Sequence, residues 1–196
     1  MKFFKNAFQC LLLATTAITL LSFDLPLGWI VAGDSPAKYE MGIDKGAAQD
    51  GKNAATIKSI ESNINGFGTL MQQCKAGQYA GKKIKMSGSV KSSQVANWAG
   101  MWLRVDQSGS TQSLAFDNMQ DRPIKGNTDW KKYEIVLDVP ANASNLAFGA
   151  LLSGTGQIWF DNITFEIVGA SEKNTGSKKP ESSIQEAPTN LGFEKQ

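Results

Sequence analysis

The chain has 196 residues, of which 41% are hydrophobic, and this suits one domain with its own core. Its 20 Lys and Arg residues nearly balance its 18 Asp and Glu residues, and the counts become equal when Lys2 and Lys5 are set aside. A chain so close to neutral lacks the basic surface that binding to nucleic acid requires. Because it contains no histidine, the sequence also excludes Ser-His-Asp and Cys-His nucleophiles and histidine-ligated zinc.

The first element in chain order is predicted to be an export signal. Lys2 and Lys5 form a short basic start, an apolar stretch follows over residues 10–21, and Asp24 ends it. We expect residues 1–22 to form a helical signal peptide. The protein would then be periplasmic or secreted. The charge-free stretch just reaches the length of a membrane span and no clear cleavage motif precedes Asp24, so an uncleaved membrane anchor is the alternative.

The cysteine count also bears on the compartment. Of the two cysteines, Cys10 lies in the predicted signal, which would leave an exported domain with a single thiol and no intrachain disulfide. We expect Cys74 to be a small buried apolar residue in a strand, because no histidine is present to activate its thiol.

From residue 23 to residue 169 the pattern predicts a β domain. Short runs alternate apolar and polar residues and are separated by Gly, Asn, Asp, Pro and Ser, as in half-buried antiparallel strands. The predicted strands cover residues 39–43, 54–59, 68–75, 83–90, 100–106, 114–119, 133–139, 145–152 and 163–167. With no amphipathic helix among them, the expected fold is an all-β sandwich of two antiparallel sheets.

The composition changes abruptly after the last predicted strand. Residues 171–183 contain no apolar side chain, and we expect a disordered polar tail over residues 170–196. Apolar residues return only near the end, at Leu191 and Phe193. Two alternatives remain open for them, docking on the domain through residues 190–194 or fraying in solvent.

Several stretches of the sequence resemble a known fold family. They are Phe23-Asp24 with Gly28-Trp29, residues 128–133 and residues 152–162. They are similar to the opening motif and the C-terminal half of carbohydrate-binding-module-like jelly rolls of the galactose-binding-like superfold. The resemblance implies that the sandwich is a jelly roll over residues 23–169.

A second set of stretches resembles a narrower family. Residues 67–73, 98–106 and 115–124 are similar to a bacterial domain found alone or appended to AraC-type transcriptional regulators. This chain departs from the regulator form in having no helix-turn-helix and in its predicted export signal, so the resemblance does not imply a regulator. Residues 190–194 also resemble the opening motif of such domains, either as an added strand or as the remnant of a second copy.

The predicted strand 100–106 carries the candidate binding face. Alternation places Trp102, Arg104 and Asp106 on one side and apolar residues on the core side. An indole plane beside a guanidinium and a carboxylate suits a sugar, because the ring stacks on C–H groups while the polar pair binds hydroxyls. Neighbouring segments complete the candidate ligand-binding set with Trp98, Asp117, Asn118, Gln120 and Arg122. In the alternative, the tryptophans belong to the core and Arg104 and Asp106 tie strands together.

Two further predictions concern a possible metal site and the packing of two other tryptophans. Related jelly rolls hold a structural Ca²⁺ between an acid near the first strand and one on the last, which the resemblance places at Asp24 and Asp161. Oxygen ligands fit this hard cation, although Asp161 can equally cap a turn. No other cofactor is expected. We expect Trp130 and Trp159 to be packing residues.

These patterns together predict an exported, non-catalytic module that binds a carbohydrate or similar polyhydroxylated ligand on an exposed face. One alternative is a structural, protein-interaction or sensor accessory domain that binds no sugar. Another is a weak glycoside hydrolase that uses a pair of carboxylates. Its candidate acids are Asp106, Asp117, Asp121 and Glu134. The expected partner is a saccharide or small polar ligand, with a membrane only if residues 1–22 are retained.

Overall fold

A computed structural model describes residues 23–171 and 185–196, and within them the fold is all-β and antiparallel, as the alternation predicted. The predicted signal or anchor, Cys10 and most of the polar tail lie outside the described residues. The strands are β1 (Ile30–Gly33), β2 (Tyr39–Asp44), β3 (Ala54–Ser59), β4 (Phe67–Lys75), β5 (Lys82–Asp106), β6 (Ser113–Asp117), β7 (Ile124–Val139), β8 (Asn145–Ser153) and β9 (Gln157–Ala170).

Helices are short in this part of the chain. Two 3₁₀ helices, Pro36–Lys38 and Gly77–Tyr79, are the helices of the described residues. None of the described helices is long and apolar enough to cross a membrane. The strand β1 was not predicted, because Ile30–Gly33 contains only apolar residues and glycine and so shows no alternation.

The strand β5 differs most from the prediction. Residues 83–90 and 100–106 were expected as separate strands, whereas the structure has one strand of 25 residues. Register shifts at three places between Val90 and Ala99 let the strand bend without ending. Its first part pairs with β7 and β9, and its second part pairs with β6 and β8.

The long β5 also explains the sheet topology. The pairing order is β1-β4-β8-β5-β9-β3-β2, with β6 and β7 also paired to β5. All nine strands therefore belong to one hydrogen-bonded sheet, where the sequence predicted two. The sheet encloses a large apolar core, in which the predicted core side of strand 100–106 is fully buried at Met101, Leu103 and Val105.

The end of the chain takes part in this core. Phe193 is fully buried against Trp29 and Phe160, with ring centres 4.9 and 5.1 Å away. The backbone N–H of Thr189 donates to Gln72 Oε1 at 2.8 Å, and Gln72 Nε2 donates back to the Thr189 carbonyl at 3.1 Å. Residues 185–195 thus close one end of the domain, and we call this region the closed end.

Cys74 is a buried free thiol on β4, as expected. Burial raises the pKa of Cys74 to about 12, because the thiolate would lose its hydration in the apolar core. The thiol therefore stays protonated and packs as a small apolar residue.

Candidate functional site

One face of the sheet, formed by β1, β4, β8, β5 and β6, carries a groove. Across it the register aligns Met71, Gly149 and Trp102 in one row and Thr69, Leu151 and Gly100 in the next. Because Gly149 and Gly100 have no side chain, they leave a depression at the centre of this face. A Cβ at Gly149 would collide with the carbonyl oxygen of Leu70 on β4, so only glycine fits this close approach between strands.

Trp102 forms the floor of the groove. As predicted, it points away from the core side of β5, but it is only 7% exposed, so the expectation of an exposed indole is wrong. The indole extends across β8 and Nε1 donates to Thr69 Oγ1 on β4 at 2.9 Å. It packs in a small cluster separate from the core, with Met71, Ala147 and Leu151. The covering of Trp102 depends on residues of β4 and β8, which are remote from it in sequence.

The groove above this floor has a volume of about 560 Å³, which lies in the range of small-ligand sites. Aromatic side chains surround it: Phe67 and Trp98 are half-buried, whereas Phe116 is 52% exposed. The polar residues that line it are Asp34, Asn65, Thr69, Arg104, Asn118 and Ser153. The groove therefore offers aromatic faces for stacking, and hydrogen-bonding groups beside them.

Arg104 reaches the groove from β5, opposite Phe116 on β6. Its Nε donates to Asp106 Oδ2 at 3.0 Å, and Asn145 Nδ2 donates to the same oxygen at 3.4 Å. Asp106 itself does not line the groove. Its role is to position the guanidinium, which leaves the terminal N–H groups of Arg104 to donate to a ligand.

The other predicted residues line a second, smaller pocket of about 390 Å³ on the far side of Phe116. In this pocket Arg122 donates to Asp117 Oδ2 at 2.6 Å and to Asp121 Oδ1 at 2.8 Å. The bond to Asp117 is the main cause that raises the pKa of Arg122. Because the acids occupy the guanidinium, this pocket has few free donors for a ligand.

The structure therefore divides the eight predicted ligand-binding residues. Trp98, Trp102, Arg104 and Asn118 line the groove, Asn118 is shared with the small pocket, and Asp117, Gln120 and Arg122 line the small pocket alone. Two further residues of the groove, Asp34 and Phe116, were not predicted as ligand-binding residues. Alternation in the predicted strand 114–119 could have indicated Phe116, whereas Asp34 lies in a loop with no pattern.

The predicted calcium ligands do not meet. Asp24 is exposed and pairs with Lys45 Nζ at 3.2 Å. The pairing Asp24–Ile43, Ile43–Ala55 and Ala55–Phe160 places three strand spacings, or about 14 Å measured along the sheet, between Asp24 and the row beside Asp161. No cluster of three His, Cys, Asp or Glu residues suited to a metal occurs in the described part. These two acids therefore do not fit a shared ion.

Asp161 is nevertheless unusual. It is 4% exposed, Asn162 Nδ2 donates to Oδ2 at 3.0 Å, and Oδ1 has no hydrogen-bond partner in the structure. Burial raises the pKa of Asp161 to about 6, because the ionised carboxylate is poorly solvated there.

The acids suggested for a hydrolase are held by cations. Asp106 pairs with Arg104, Asp117 and Asp121 pair with Arg122, and Glu134 pairs with Lys132. All four carboxylates suggested for a hydrolase are therefore engaged in ion pairs.

The tryptophans expected to pack lie outside the core. Trp130 and Trp159 are half-buried and neither joins the buried cluster. Trp159 Nε1 donates to Asp44 Oδ2 at 2.7 Å, and Lys91 Nζ lies 5.4 Å from its ring centre. Trp159 thus packs on the outside of the sheet among charged residues, and neither tryptophan lines the groove.

Comparison with known proteins gives one curated relative and many similar structures. The chain is 43% identical over 170 residues to the uncharacterized HTH-type transcriptional regulator YbfP of Bacillus subtilis (strain 168). The match covers 86% of this chain, which spans 57% of that protein. No protein-family model matches.

Among solved structures, the xylan-binding domain CBM22-1 of Paenibacillus barcinonensis Xyn10C is similar with a TM-score of 0.52 and 15% identity. The match covers 76% of this chain and 92% of that one. The Stig cyclase Fisc of Fischerella sp. TAU is similar with a TM-score of 0.54 and 18% identity, over 76% of this chain and 89% of that one. At these identities the likeness shows the fold alone, an all-β fold shared with carbohydrate-binding modules.

Proposed function

We propose that this chain is a non-catalytic module that binds a saccharide or a similar polyhydroxylated ligand in the groove over Trp102. The observation that carries the proposal is the combination of the exposed Phe116 ring and the half-buried Trp98 ring with a positioned guanidinium in one groove. Phe116 and Trp98 offer flat faces to the C–H side of a sugar ring, and Arg104 and Asn118 offer donors to its hydroxyls.

The fold supports this proposal without deciding the ligand. Carbohydrate-binding modules share the architecture, and we propose that the one sheet is a jelly roll whose two layers share β5. An open groove of this kind exchanges bound water for ligand hydroxyls, so the affinity should be modest.

The test is a titration of the full chain with neutral oligosaccharides, followed by tryptophan fluorescence and calorimetry. Phe116→Ala should weaken binding at least about tenfold, because an exposed stacking face is lost. Trp130→Ala is the matched control, since its half-buried ring lies outside the groove, and it should leave the affinity unchanged. Equal losses in both variants, or no binding to any saccharide, would contradict the proposal.

A second candidate is a sensor or accessory domain of the kind appended to transcriptional regulators. The identity to a regulator over most of this chain favours it. In that function the same groove would bind a small effector molecule. Binding would change the activity of a partner protein, and the domain would not attach to a polysaccharide. Binding of a monomeric compound without affinity for oligosaccharides would favour this candidate.

We also propose that residues 1–22 direct export. Cell fractionation with an antibody to the full chain tests this, and N-terminal sequencing of the product separates a cleaved signal from a retained anchor. Recovery of the intact chain from the cytoplasm would contradict it.

A further inference from the structure

Two charged side chains line the groove, and their surroundings differ. Arg104 is balanced by Asp106, whose Oδ2 lies 3.0 Å from its Nε. Asp34, in the loop after β1, has no ion pair within 4 Å among the residues that the structure describes. Its Oδ1 accepts the backbone N–H of Phe67 at 2.6 Å, which fixes the carboxylate at the groove and leaves Oδ2 for a ligand. The groove therefore carries one uncompensated negative charge.

Half-buried aromatic rings line the same groove as this charge. They belong to Phe67, whose backbone N–H donates to Asp34, and to Trp98. Aromatic faces attract cations through the ring quadrupole, and most strongly so for tryptophan. A positive group in this part of the groove gains from the carboxylate and from the rings together, whereas a neutral hydroxyl gains only a hydrogen bond.

We propose that the groove prefers saccharides that carry protonated amino groups, such as β-1,4-linked glucosamine chains, over neutral chains of the same shape. This inference rests on the proposed function. The amine binds near Asp34, and the rest of the chain lies along Phe116 and Arg104. An acidic sugar is disfavoured, because Asp34 repels it and Asp106 already neutralises Arg104.

The experiment compares two hexasaccharides that differ only at C2 of each ring, a β-1,4-glucose chain and a β-1,4-glucosamine chain. Calorimetry on the full chain at low salt should show about fivefold tighter binding of the glucosamine chain, the effect expected of one solvated charge pair. High salt should reduce this ratio, since the pair is partly exposed to solvent. An oligogalacturonate should bind no better than the glucose chain.

Two variants test whether Asp34 causes the preference for the glucosamine chain. Asp34→Asn keeps an oxygen to accept the Phe67 N–H and should bind the two hexasaccharides equally. Asp50→Asn removes the same charge from an exposed carboxylate outside the groove, so it should keep the fivefold ratio. Thermal unfolding of both variants verifies that they are folded.

The outcomes separate this inference from the proposed function. Equal binding of both hexasaccharides by the unmodified chain, or a preference that survives Asp34→Asn, overturns the inference and leaves the proposed function standing. Tighter binding of the oligogalacturonate also overturns it. Failure of every saccharide to bind overturns both.

Discussion

The closed end and the groove are both rich in aromatic residues, but their rings have different neighbours. At the closed end Trp29, Phe160 and Phe193 pack on one another, with centres 4.9 to 5.9 Å apart, and all are buried. Along the groove, Trp98 and Phe116 border open volume. The same residue types therefore stabilise the fold in one region and present a binding surface in the other, and the burial of the ring decides which.

The largest expected effect tests the closed end. Phe193→Ala should lower the free energy of unfolding by about 3–5 kcal/mol, because it leaves a cavity beside Trp29 and Phe160. Urea unfolding measures this. Phe116→Ala is the same substitution at a half-exposed ring and should cost less than about 1 kcal/mol. If the two variants are equally stable, the comparison of the two regions fails.

The next effect concerns the buried acid near the closed end. The folded pKa of Asp161, about 6, lies above its ordinary value of 3.8, so the folded state favours the protonated form. The Asp161 carboxyl therefore contributes most to the stability of the folded state below pH 4, and this contribution is lost as the pH rises through about 6. Asp161→Asn should stabilise the domain at pH 7, by about 2–3 kcal/mol at most, and have little effect at pH 4.

Thermal melting at a series of pH values measures the difference between Asp161→Asn and the unmodified chain. Glu166→Gln is the control, because Glu166 is exposed, lies apart from the groups that act on Asp161, and has a pKa lowered by its bond to Lys85. That variant should show no gain at pH 7. A constant difference across the pH range for Asp161→Asn would mean that the carboxylate does not titrate as described.

The smallest effect tests the groove floor. Thr69→Val keeps the shape of the side chain but removes the acceptor of the Trp102 N–H, and should destabilise the domain by about 1–3 kcal/mol. Thr69→Ser keeps the hydroxyl and should retain most of the stability. If Thr69→Val changes neither stability nor ligand-induced fluorescence, the indole is not held as the floor.

Much of the fold could be predicted from the sequence. The residue patterns placed β2, β3 and β8 within a residue or so of their observed ends, and alternation along strand 100–106 put Met101, Leu103 and Val105 in the core. The prediction divided β5 because the stretch between Val90 and Ala99 is mostly polar and contains the register shifts, so the alternation is interrupted there although the strand continues. The sequence also suggested that Asp117 and Arg122 lie at the same binding site as Trp102. In the structure these two residues form an ion pair in a separate, smaller pocket.

The sequence by itself determined the strand type and the side of β5 on which Trp102 lies, because both follow from a period of two along a single strand. Only the tertiary structure decided that Trp102 is covered, that Asp34 joins it across the groove, and that Phe193 fills the closed end. Each of these depends on which strand lies beside which, and contacts between residues distant in sequence leave no local pattern to read.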